Sequence, residues 1–400
     1  MVKLKDIEKA YEFIQAELIT TPLKETRHFS NMIGVPIYLK MENLQHTGSF
    51  KVRGATNKIL KLTEQEKKQG VVAASAGNHA QGVASIATRL GIASTIFMPE
   101  TTPFVKIVST RGFGAHVELQ GKSYDEAFLA AQKYCEENKK VFIHAFEDDD
   151  VIAGQGTVAL EVLNQLESFD RILVPIGGGG LISGISIALK EKNPKIEVIG
   201  VQTEAAQAMY QSFHNKKLVT TYETKPSIAE GIVVKQPSPK MYEIISHYVD
   251  DVVLVREEEI ASAILLLMER SKTVVEGAGA ASMAAALQGY AKGKTVVLLS
   301  GGNIDVTMIS TIIGRGLVKE GRLLRISVKV PDKPGSLHRL TKILAELGAN
   351  IMQIEHDRLS STLAMGETDI SLAMETKGPD HIEKILNELK NSDYTFRKYQ

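Results

Sequence analysis

The sequence RILVPIGGGGLISG, residues 171–184, joins a short apolar run to a helical pattern through four consecutive glycines. The apolar run has the length and the β-branched residues of a buried strand, and the pattern after Gly180 predicts a helix. Consecutive glycines are costly in conformational entropy, which indicates that the backbone approaches another group closely here. Backbone N–H groups at the start of a helix bind anions such as a phosphate monoester. We therefore predict a strand, a phosphate-binding loop and a helix, with a purely structural glycine turn as the alternative.

The two common nucleotide-binding motifs do not fit this loop. A dinucleotide fingerprint, G-x-G-x-x-G, would need glycine at Ile182 or Ser183, and a Walker A loop would need lysine at Ile185. The loop is thus predicted to bind a phosphate that belongs to neither of these ligand classes.

Similar apolar runs alternate with helical patterns over most of the chain. Helices are predicted, for example, at 79–91, 123–138 and 257–271. Such alternation is typical of βαβ units and a parallel sheet with both faces covered. The predicted strands are 37–42, 71–75, 94–99, 116–120, 141–146, 171–176, 197–202, 251–256 and 295–300.

The pattern changes after about residue 320. Strands are predicted at Leu323–Val330, Ile351–Arg358, Glu367–Glu375 and Tyr394–Tyr399, with a polar loop between the second and third. Helices are predicted at His338–Leu347 and Asp380–Leu389. The order βαββαβ is that of a ferredoxin-like domain. We place a catalytic domain at 1–320, a second domain at 323–400, and their boundary near 314–321.

The composition restricts the possible partners and compartments. The chain has 400 residues with 47 basic and 47 acidic side chains, so charge gives no reason to expect nucleic acid or an anionic membrane as a partner. Cys135 is the single cysteine, which excludes an intrachain disulfide and fits a reducing, cytoplasmic setting. The charged N-terminus lacks the apolar region of a secretory signal. Glycines and polar residues interrupt the longest uncharged runs, so we predict no transmembrane segment.

Three further motifs carry polar or reactive groups. TGSFKVRGA (47–55) places Lys51 among small and apolar neighbours, where burial would favour a neutral, nucleophilic amine over an ordinary surface charge. SAGNHAQG (75–82) follows a strand and opens a helix, so it either binds an anion or is an ordinary helix start. LLSGGN (298–303) places Ser300 at the end of a strand, where open α/β sheets bind ligands. A lysine, a phosphate loop and strand-end polar groups together suit pyridoxal 5′-phosphate.

In this order and spacing, SFKVRGA, SAGNHAQG, GGGGL and SGGN resemble the motifs of the fold type II pyridoxal-phosphate enzymes, and within them the threonine/serine dehydratases. The resemblance covers residues 1–320. It implies two open, twisted, mainly parallel α/β subdomains, of which the smaller, approximately 40–145, is inserted. It also implies that Lys51 holds the cofactor as a Schiff base beside Phe50, that Asn78 bonds its 3′-oxygen and that Ser300 meets its pyridine nitrogen. The implied phosphate ligands are the backbone N–H groups of Gly177, Gly178, Gly179, Gly180 and Leu181. The implied substrate-carboxylate loop is Ser75, Ala76, Gly77, Asn78 and His79, in which His79 itself is expected to be structural.

Two departures distinguish the chain from the serine racemases, which it also resembles. Those enzymes carry a serine, acting as an acid/base, where this chain has Ala76. Their metal-binding carboxylates would fall at Gln202 and Ala208, so we predict no metal site. Glu276 matches a carboxylate that lines the site in relatives, where it either positions another group or forms a structural ion pair.

The segment PDKPGSL (331–337) and the βαββαβ order resemble an ACT domain. This resemblance implies an amino-acid effector, isoleucine or valine, bound near Gly335 and the following helix, with Asn350 at the other strand–helix corner. An oligomerisation module without a ligand is the alternative. We expect a homodimer or a homotetramer.

Together these observations predict a lyase that deaminates L-threonine to 2-oxobutanoate and ammonia, and also L-serine to pyruvate, with allosteric control and a role in isoleucine biosynthesis. The alternatives are a serine racemase, a serine-preferring dehydratase and a non-catalytic amino-acid sensor on the same fold.

Overall fold

The alternation of apolar runs and helical patterns between residues 37 and 300 produces two sheets of parallel strands. The computed structural model describes residues 1–358 and 363–399. It divides into two units, one of residues up to Ile304 and one of residues from Asp305 onward. The strands of the first unit are β1 (Leu23–Glu25), β2 (Ile37–Met41), β3 (Val71–Ala74), β4 (Ser94–Met98), β5 (His116–Leu119), β6 (Val141–Phe142), β7 (Arg171–Pro175), β8 (Glu197–Thr203), β9 (Asp251–Val255) and β10 (Thr295–Leu299).

Helices cover both sheets of this unit. They are α1 (Leu4–Ile14), α2 (Arg27–Ile33), α3 (Lys51–Leu60), α4 (Glu64–Gln69), α5 (Asn78–Arg89), α6 (Phe104–Gly112), α7 (Tyr124–Asn138), α8 (Asp149–Gln165), α9 (Gly180–Lys192), α10 (Ala208–His214), α11 (Pro239–Tyr248), α12 (Glu257–Leu266) and α13 (Gly277–Ala285). Short 3₁₀ turns occupy Gln15–Glu17, Glu42–Leu44 and Glu230–Ile232, and π-helical turns occupy Leu267–Ser271 and Ala286–Tyr290.

The larger sheet has the strand order β1-β2-β10-β7-β8-β9, and the smaller one has the order β5-β4-β3-β6. All neighbouring strands are parallel except β1, which pairs antiparallel with β2 at the sheet edge. Every residue of β10 and β3 is buried, as expected of central strands that helices cover on both faces. These features confirm the predicted α/β class. The second sheet lies within the inserted subdomain expected at about 40–145, whose limits stay a prediction.

Glycines bring three helices of this unit unusually close together. A Cβ atom on Gly154 of α8 would lie 2.7 Å from the Cα atom of Gly54 in α3, and one on Gly184 of α9 would lie 2.6 Å from the backbone nitrogen of Gly156 in α8. Only residues without a side chain allow backbones to approach this closely. Helix α8 therefore holds α3, which begins at Lys51, in a fixed position relative to α9, which follows the glycine loop.

Among its described residues, the second unit contains a helix followed by the predicted βαββαβ order. Its elements are α14 (Val306–Lys319), β11 (Leu323–Pro331), α15 (Ser336–Glu346), β12 (Asn350–Asp357), β13 (Glu367–Glu375), α16 (Pro379–Asn391) and β14 (Thr395–Lys398). The antiparallel sheet has the order β12-β13-β11-β14. Its core is formed by alternate residues of β11 and β13 together with α15 and α16. Part of the predicted polar loop, residues 359–362, lies outside the described residues.

Two features differ from the sequence prediction. The strand predicted at 141–146 ends at Phe142, because the chain then turns and the carbonyl groups of Ile143 and Ala145 accept side-chain hydrogen bonds. Strand β1 was not predicted, since three residues are too short for a periodic pattern. The structure divides into its two compact units after Ile304, and most of the segment 314–321 is helical in α14. The domain limits 1–320 and 323–400 stay a prediction. Across the described ranges 1–358 and 363–399, no helix is both long enough and apolar enough to cross a membrane.

Candidate active site

Three of the four predicted motifs follow adjacent strands of the larger sheet. The loop before Lys51 follows β2, the Ser300 loop follows β10, and the glycine loop follows β7. Because these three strands are parallel neighbours, their carboxyl ends lie at one edge of the sheet. Ligands of open α/β sheets bind at that edge. The fourth motif, 75–82, follows the central strand β3 of the smaller sheet.

Lys51 is the first residue of α3 and is half-buried. Its Nζ atom donates a hydrogen bond to the carbonyl oxygen of Ala145 at 3.0 Å and lies 5.3 Å from the ring centre of Phe50. Burial lowers the pKa of the Lys51 amine to about 8, although the nearby carboxyl group of Glu276 opposes this shift. The Phe50 backbone N–H donates to the carbonyl oxygen of Ser300 at 3.0 Å. At pH 7 about a tenth of the Lys51 amines are therefore neutral, far more than for a lysine with the ordinary pKa.

The lowered pKa of Lys51 predicts selective acylation of this residue. At pH 8 about half of the Lys51 amines are neutral, against on the order of one in 300 for an ordinary lysine. We expect limiting acetic anhydride to label Lys51 in cofactor-free protein at least about tenfold faster than Lys61. Peptide mapping by mass spectrometry from pH 6 to 10 measures both rates, and the Lys51 rate should level off above pH 8. A Lys51 rate that keeps rising up to pH 10 would contradict the lowered pKa.

Beneath the lysine, a closed network of buried charges ties α3 to β2 and α8. Arg53 donates to both carboxylate oxygens of Glu42 at 2.7 and 2.8 Å, to Glu161 at 2.7 Å and to Thr157 at 3.2 Å. The Lys40 amine donates to the other oxygen of Glu161 at 2.6 Å. The four charged side chains are 4% exposed or less and their formal charges sum to zero. Buried ions tolerate such an environment only when they are paired and hydrogen-bonded in this way.

Asn78 begins α5, and its side chain lies between Glu276 and Asn303, the last residue of LLSGGN (298–303). Its Nδ2 atom donates to Glu276 at 2.6 Å, and its Oδ1 atom accepts from Nδ2 of Asn303 at 2.6 Å. Burial raises the pKa of the Glu276 carboxyl to about 7, against the opposing effect of the Asn78 hydrogen bond. The Glu276 backbone N–H also donates to the carbonyl oxygen of Gly301 at 3.0 Å. Glu276 thus contacts the site through Asn78 rather than through a surface ion pair.

The predicted substrate loop, 75–79, is half-buried up to Asn78. A Cβ atom added to Gly77 would meet no other atom within 4 Å, so the space in front of this loop is open. The side chain of His79 is turned away and is only 3% exposed, with Nε2 2.8 Å from the carbonyl oxygen of Ile143. Burial lowers the pKa of His79 to about 3, so its ring is neutral and Nε2 carries the proton. The His79 side chain is therefore structural. The Ser75 N–H donates to the carbonyl oxygen of Phe97 and the Gly77 N–H to Oγ of Ser75, so the loop can offer a ligand the backbone N–H groups of Ala76, Asn78 and His79 and the side chains of Ser75 and Asn78.

The glycine loop presents several unused donors. Within the described part of the chain, the backbone N–H groups of Gly177, Gly178 and Gly179 donate to no other group, and the first N–H groups of α9 lack partners as in any helix. Gly179 has φ of +94°, which favours glycine, and a Cβ atom on Gly178 would overlap the ring of Phe146 at 2.3 Å. Close protein packing thus explains part of the glycine requirement, while the free donors fit a phosphate. Leu181 is buried at the start of α9.

Ser300 lies directly after β10 and is 2% exposed. Its neighbours hold the lysine loop in place, because Ser49 and Gly301 form an antiparallel bridge and the Gly302 N–H donates to the carbonyl oxygen of Gly48 at 2.8 Å. The lysine loop (47–55) and the Ser300 loop (298–303) are therefore joined through their backbones. Three further groups of this region were not predicted from the sequence, namely Asn303, Arg53 and the Ala145 carbonyl group. Asn303 lies within LLSGGN (298–303) and Arg53 within TGSFKVRGA (47–55). Their place in these motifs was the only feature of the sequence that could have indicated them.

The second unit contains a cavity of about 360 Å³. Its walls are the segment 331–337 and residues of β12 and β13, including His356, Thr368 and Ile370. Gly335, at φ of +89°, turns the chain into α15, whose first N–H groups face no helical acceptor. Asn350 lies elsewhere and donates to Glu375 at 2.7 Å. The cavity adjoins the predicted ligand position at Gly335 but not the one at Asn350.

Comparison with known proteins places this arrangement in a family. The model of the pyridoxal-phosphate dependent enzymes matches residues 14–302, and the ACT domain model matches residues 324–392. The chain therefore belongs to the pyridoxal-phosphate dependent enzymes and carries an ACT domain. Both predicted resemblances and the predicted cofactor are confirmed.

Relatives within the family cover nearly the whole chain. The L-threonine ammonia-lyase of Thermotoga maritima is 48% identical over 399 residues, which is 99% of each chain, and that of Geobacter sulfurreducens is 48% identical over 97% of each. Among solved structures, maize serine racemase has a TM-score of 0.74 and 32% identity, covering 80% of this chain and 99% of that one. The processed threonine deaminase isoform 2 of Solanum lycopersicum has a TM-score of 0.73 and 34% identity, covering 78% and 86%.

Proposed function

We propose that this protein is a threonine ammonia-lyase, which converts L-threonine to 2-oxobutanoate and ammonia and also converts L-serine to pyruvate. The observation that carries the proposal is the half-buried amine of Lys51, with its lowered pKa, at the sheet edge where three strand-end loops converge. The near-complete coverage of two L-threonine ammonia-lyases supports it.

The residues at this edge fit pyridoxal 5′-phosphate. In our proposal Lys51 holds the cofactor beside Phe50, and Asn78 and Ser300 bond its 3′-oxygen and pyridine nitrogen. Its phosphate meets the N–H groups of Gly177, Gly178, Gly179, Gly180 and Leu181. The unused donors of the glycine loop support this assignment, because a phosphate would supply the acceptors that they lack. When bound, the cofactor provides an electron sink for the carbon next to the substrate amine.

The chain's own groups perform the remaining tasks. The neutral Nζ atom of Lys51 is suited to accept the α-proton of the substrate, since a base works best with a pKa near the working pH. The N–H groups of the 75–79 loop bind the substrate carboxylate, and the open space before Gly77 supports this role. Ser300 is neutral and does not hold a proton on the pyridine nitrogen as a carboxylate would. This arrangement favours loss of the β-hydroxyl group over transamination.

Incubation of the purified protein with L-threonine tests the proposal. We expect a yellow protein that forms 2-oxobutanoate and ammonia in equal amounts, and pyruvate from L-serine. A yellow protein that forms neither oxo acid would reject the lyase and favour the non-catalytic sensor.

Serine racemase is the second candidate, because maize serine racemase shares the fold at 32% identity. Ala76 stands where the resemblance to racemases calls for a serine, and it offers no proton to the opposite face of the substrate. Chiral chromatography after incubation with L-serine separates the candidates. We expect pyruvate to exceed D-serine at least about tenfold, and the reverse ratio would favour the racemase.

We propose that the cavity of the second unit binds a branched-chain amino acid, isoleucine or valine, as an allosteric effector. Its volume and the next N–H groups at the start of α15, those of Leu337 and His338, suit an amino-acid carboxylate, whereas the Ser336 N–H donates to the carbonyl oxygen of Lys333. Leu337 lines the cavity and is 38% exposed, so Leu337→Trp should fill it without disturbing the core. We expect calorimetric binding of isoleucine or valine to weaken at least about tenfold, with unregulated turnover unchanged. Lys342→Trp on an outer face of α15 is the control, and equal weakening by both variants would contradict this location.

The proposed setting is feedback-controlled isoleucine biosynthesis in the cytoplasm, by a homodimer or a homotetramer. Feedback control requires inhibition by isoleucine, which steady-state assays measure directly. Light scattering of the purified protein distinguishes the two assemblies.

A further inference from the structure

Asn303 joins two motifs of the site through one side-chain amide. Its Nδ2 atom lies 2.6 Å from Oδ1 of Asn78, 2.8 Å from the carbonyl oxygen of Thr47 and 3.1 Å from Oε1 of Gln81. An amide nitrogen has two hydrogens, so the two nearest acceptors, on Asn78 and Thr47, take them. The lysine loop is shaped around this side chain, because a Cβ atom on Gly48 would lie 2.6 Å from Oδ1 of Asn303.

The orientation of the Asn78 amide depends on its two partners. An asparagine amide can face a neighbour with its NH₂ group or with its oxygen, and the hydrogen-bond network decides between them. Glu276 alone does not fix the orientation of the Asn78 amide, because burial raises the pKa of its carboxyl to about 7. Near neutral pH this carboxyl is present both as an acceptor and as a donor. Asn303 contacts Asn78 from the other side and always offers it a donor.

The orientation of Asn303 is itself fixed by the backbone. The carbonyl oxygen of Thr47 only accepts hydrogen bonds, so the NH₂ group of Asn303 must face it. The same NH₂ group then faces Oδ1 of Asn78, which turns Nδ2 of Asn78 towards Glu276. One hydrogen of Asn78 Nδ2 bonds Glu276, and within the described chain the other has no acceptor.

We propose that Asn303 is a positioning residue that, anchored on the Thr47 carbonyl group, fixes the Asn78 amide with its free N–H available to the 3′-oxygen of the cofactor. The inference rests on the proposed cofactor contact of Asn78 and adds the residue that orients it. Asn303 touches neither substrate nor cofactor in this assignment. It acts entirely through the amide of Asn78.

Two substitutions of Asn303 separate orientation from simple packing. Asn303→Asp keeps the shape of the side chain but presents acceptors to both Thr47 and Asn78, so the Asn78 amide is expected to turn and offer its oxygen to the cofactor. Asn303→Ala removes the partner and allows water to replace it. If Asn303 orients the Asn78 amide, Asn303→Asp should change cofactor absorbance and affinity more than Asn303→Ala does. If the side chain only fills space, Asn303→Ala should cause the larger change. Asn303 is exposed, so neither change opens a cavity in the core.

The measurements use the substrate-free protein loaded with cofactor. We expect Asn303→Asp to move absorbance from the visible band towards the near-ultraviolet band, because the oxygen of the visible-absorbing form is anionic and loses its donor. Affinity for pyridoxal 5′-phosphate, titrated into cofactor-free protein, should fall about 10- to 100-fold, the range for a lost hydrogen bond to a charged group. Asn303→Ala should show a smaller change in both quantities.

Gln81→Glu controls for the added negative charge. It places a carboxylate in the same cluster while keeping an acceptor towards Asn303, so we expect the parental spectrum and affinity. Equal shifts in Gln81→Glu and Asn303→Asp, or a larger effect of Asn303→Ala, would overturn the inference. A parent protein that binds the cofactor but forms no 2-oxobutanoate would overturn the proposed activity alone, because the spectra test Asn303 without turnover.

Discussion

Lys51→Ala is expected to lower the turnover of L-threonine by about 10³-fold or more and to leave a protein that does not retain cofactor through dialysis. The Nζ atom of Lys51 is the proposed attachment point of the cofactor and the proposed base, and a positioned base alone contributes about 10²- to 10⁴-fold. Its half-buried position and its pKa of about 8 make it suited to both tasks. Product formation and visible absorbance after dialysis measure the two losses separately.

Lys61→Ala is the matched control for this loss. Lys61 lies at the other end of the same helix and pairs with Asp150 at 2.8 Å near the surface. We expect turnover within about twofold of the parent, since exposed ion pairs contribute little to stability. Retention of colour by Lys51→Ala, or turnover above a tenth of the parental value, would remove Lys51 from its proposed role.

Arg53→Met is expected to produce the largest loss of stability, about 3–5 kcal/mol in the free energy of unfolding of the catalytic unit. Arg53 is 1% exposed and neutralises the buried carboxylates of Glu42 and Glu161 together with Lys40. Methionine fills much of the space but leaves the cluster with one uncompensated negative charge. Denaturant unfolding, followed on the transition of the catalytic unit, measures the change.

The loss should also depend on pH. In the parent, Arg53 is the main group that lowers the pKa of Glu42, against the effect of burial. Without it, burial is expected to raise that pKa above the value in the unfolded chain. A carboxyl group whose pKa is higher in the folded chain than in the unfolded chain destabilises the folded state most at high pH, where it must ionise while buried. The loss of free energy of unfolding in the variant should therefore be larger at pH 8 than at pH 5.

Arg89→Met provides the comparison for an exposed arginine. Arg89 bonds Glu17 at 2.7 Å but its side chain is 43% exposed. We expect a change of about 1 kcal/mol or less in the free energy of unfolding. Similar losses in Arg53→Met and Arg89→Met would show that the buried network contributes no more than a surface pair.

Much of the architecture is encoded in consecutive residues. All nine predicted strands and the βαββαβ order are present, because apolar runs such as those of β7 and β10 between glycine loops and helical patterns leave few alternatives. The four motifs likewise identified the lysine, the glycine loop and the strand-end serine, since each has a local chemical requirement. The short strand β1 and the early end of β6 were not predictable, because pairing with a neighbouring strand defines them.

Consecutive residues alone thus predict the fold class, the two kinds of domain, the family and its cofactor, and the candidate residues of the site. Which of these residues come into contact depends on packing in three dimensions. Arg53 reaches Glu161 across 108 positions of the chain, Lys51 reaches the Ala145 carbonyl group across 94, and Asn303 reaches Asn78 across 225. The reason is that hydrophobic periodicity and glycine loops act over a few residues. Burial, lowered or raised pKa values and amide orientation depend on elements that only packing brings together.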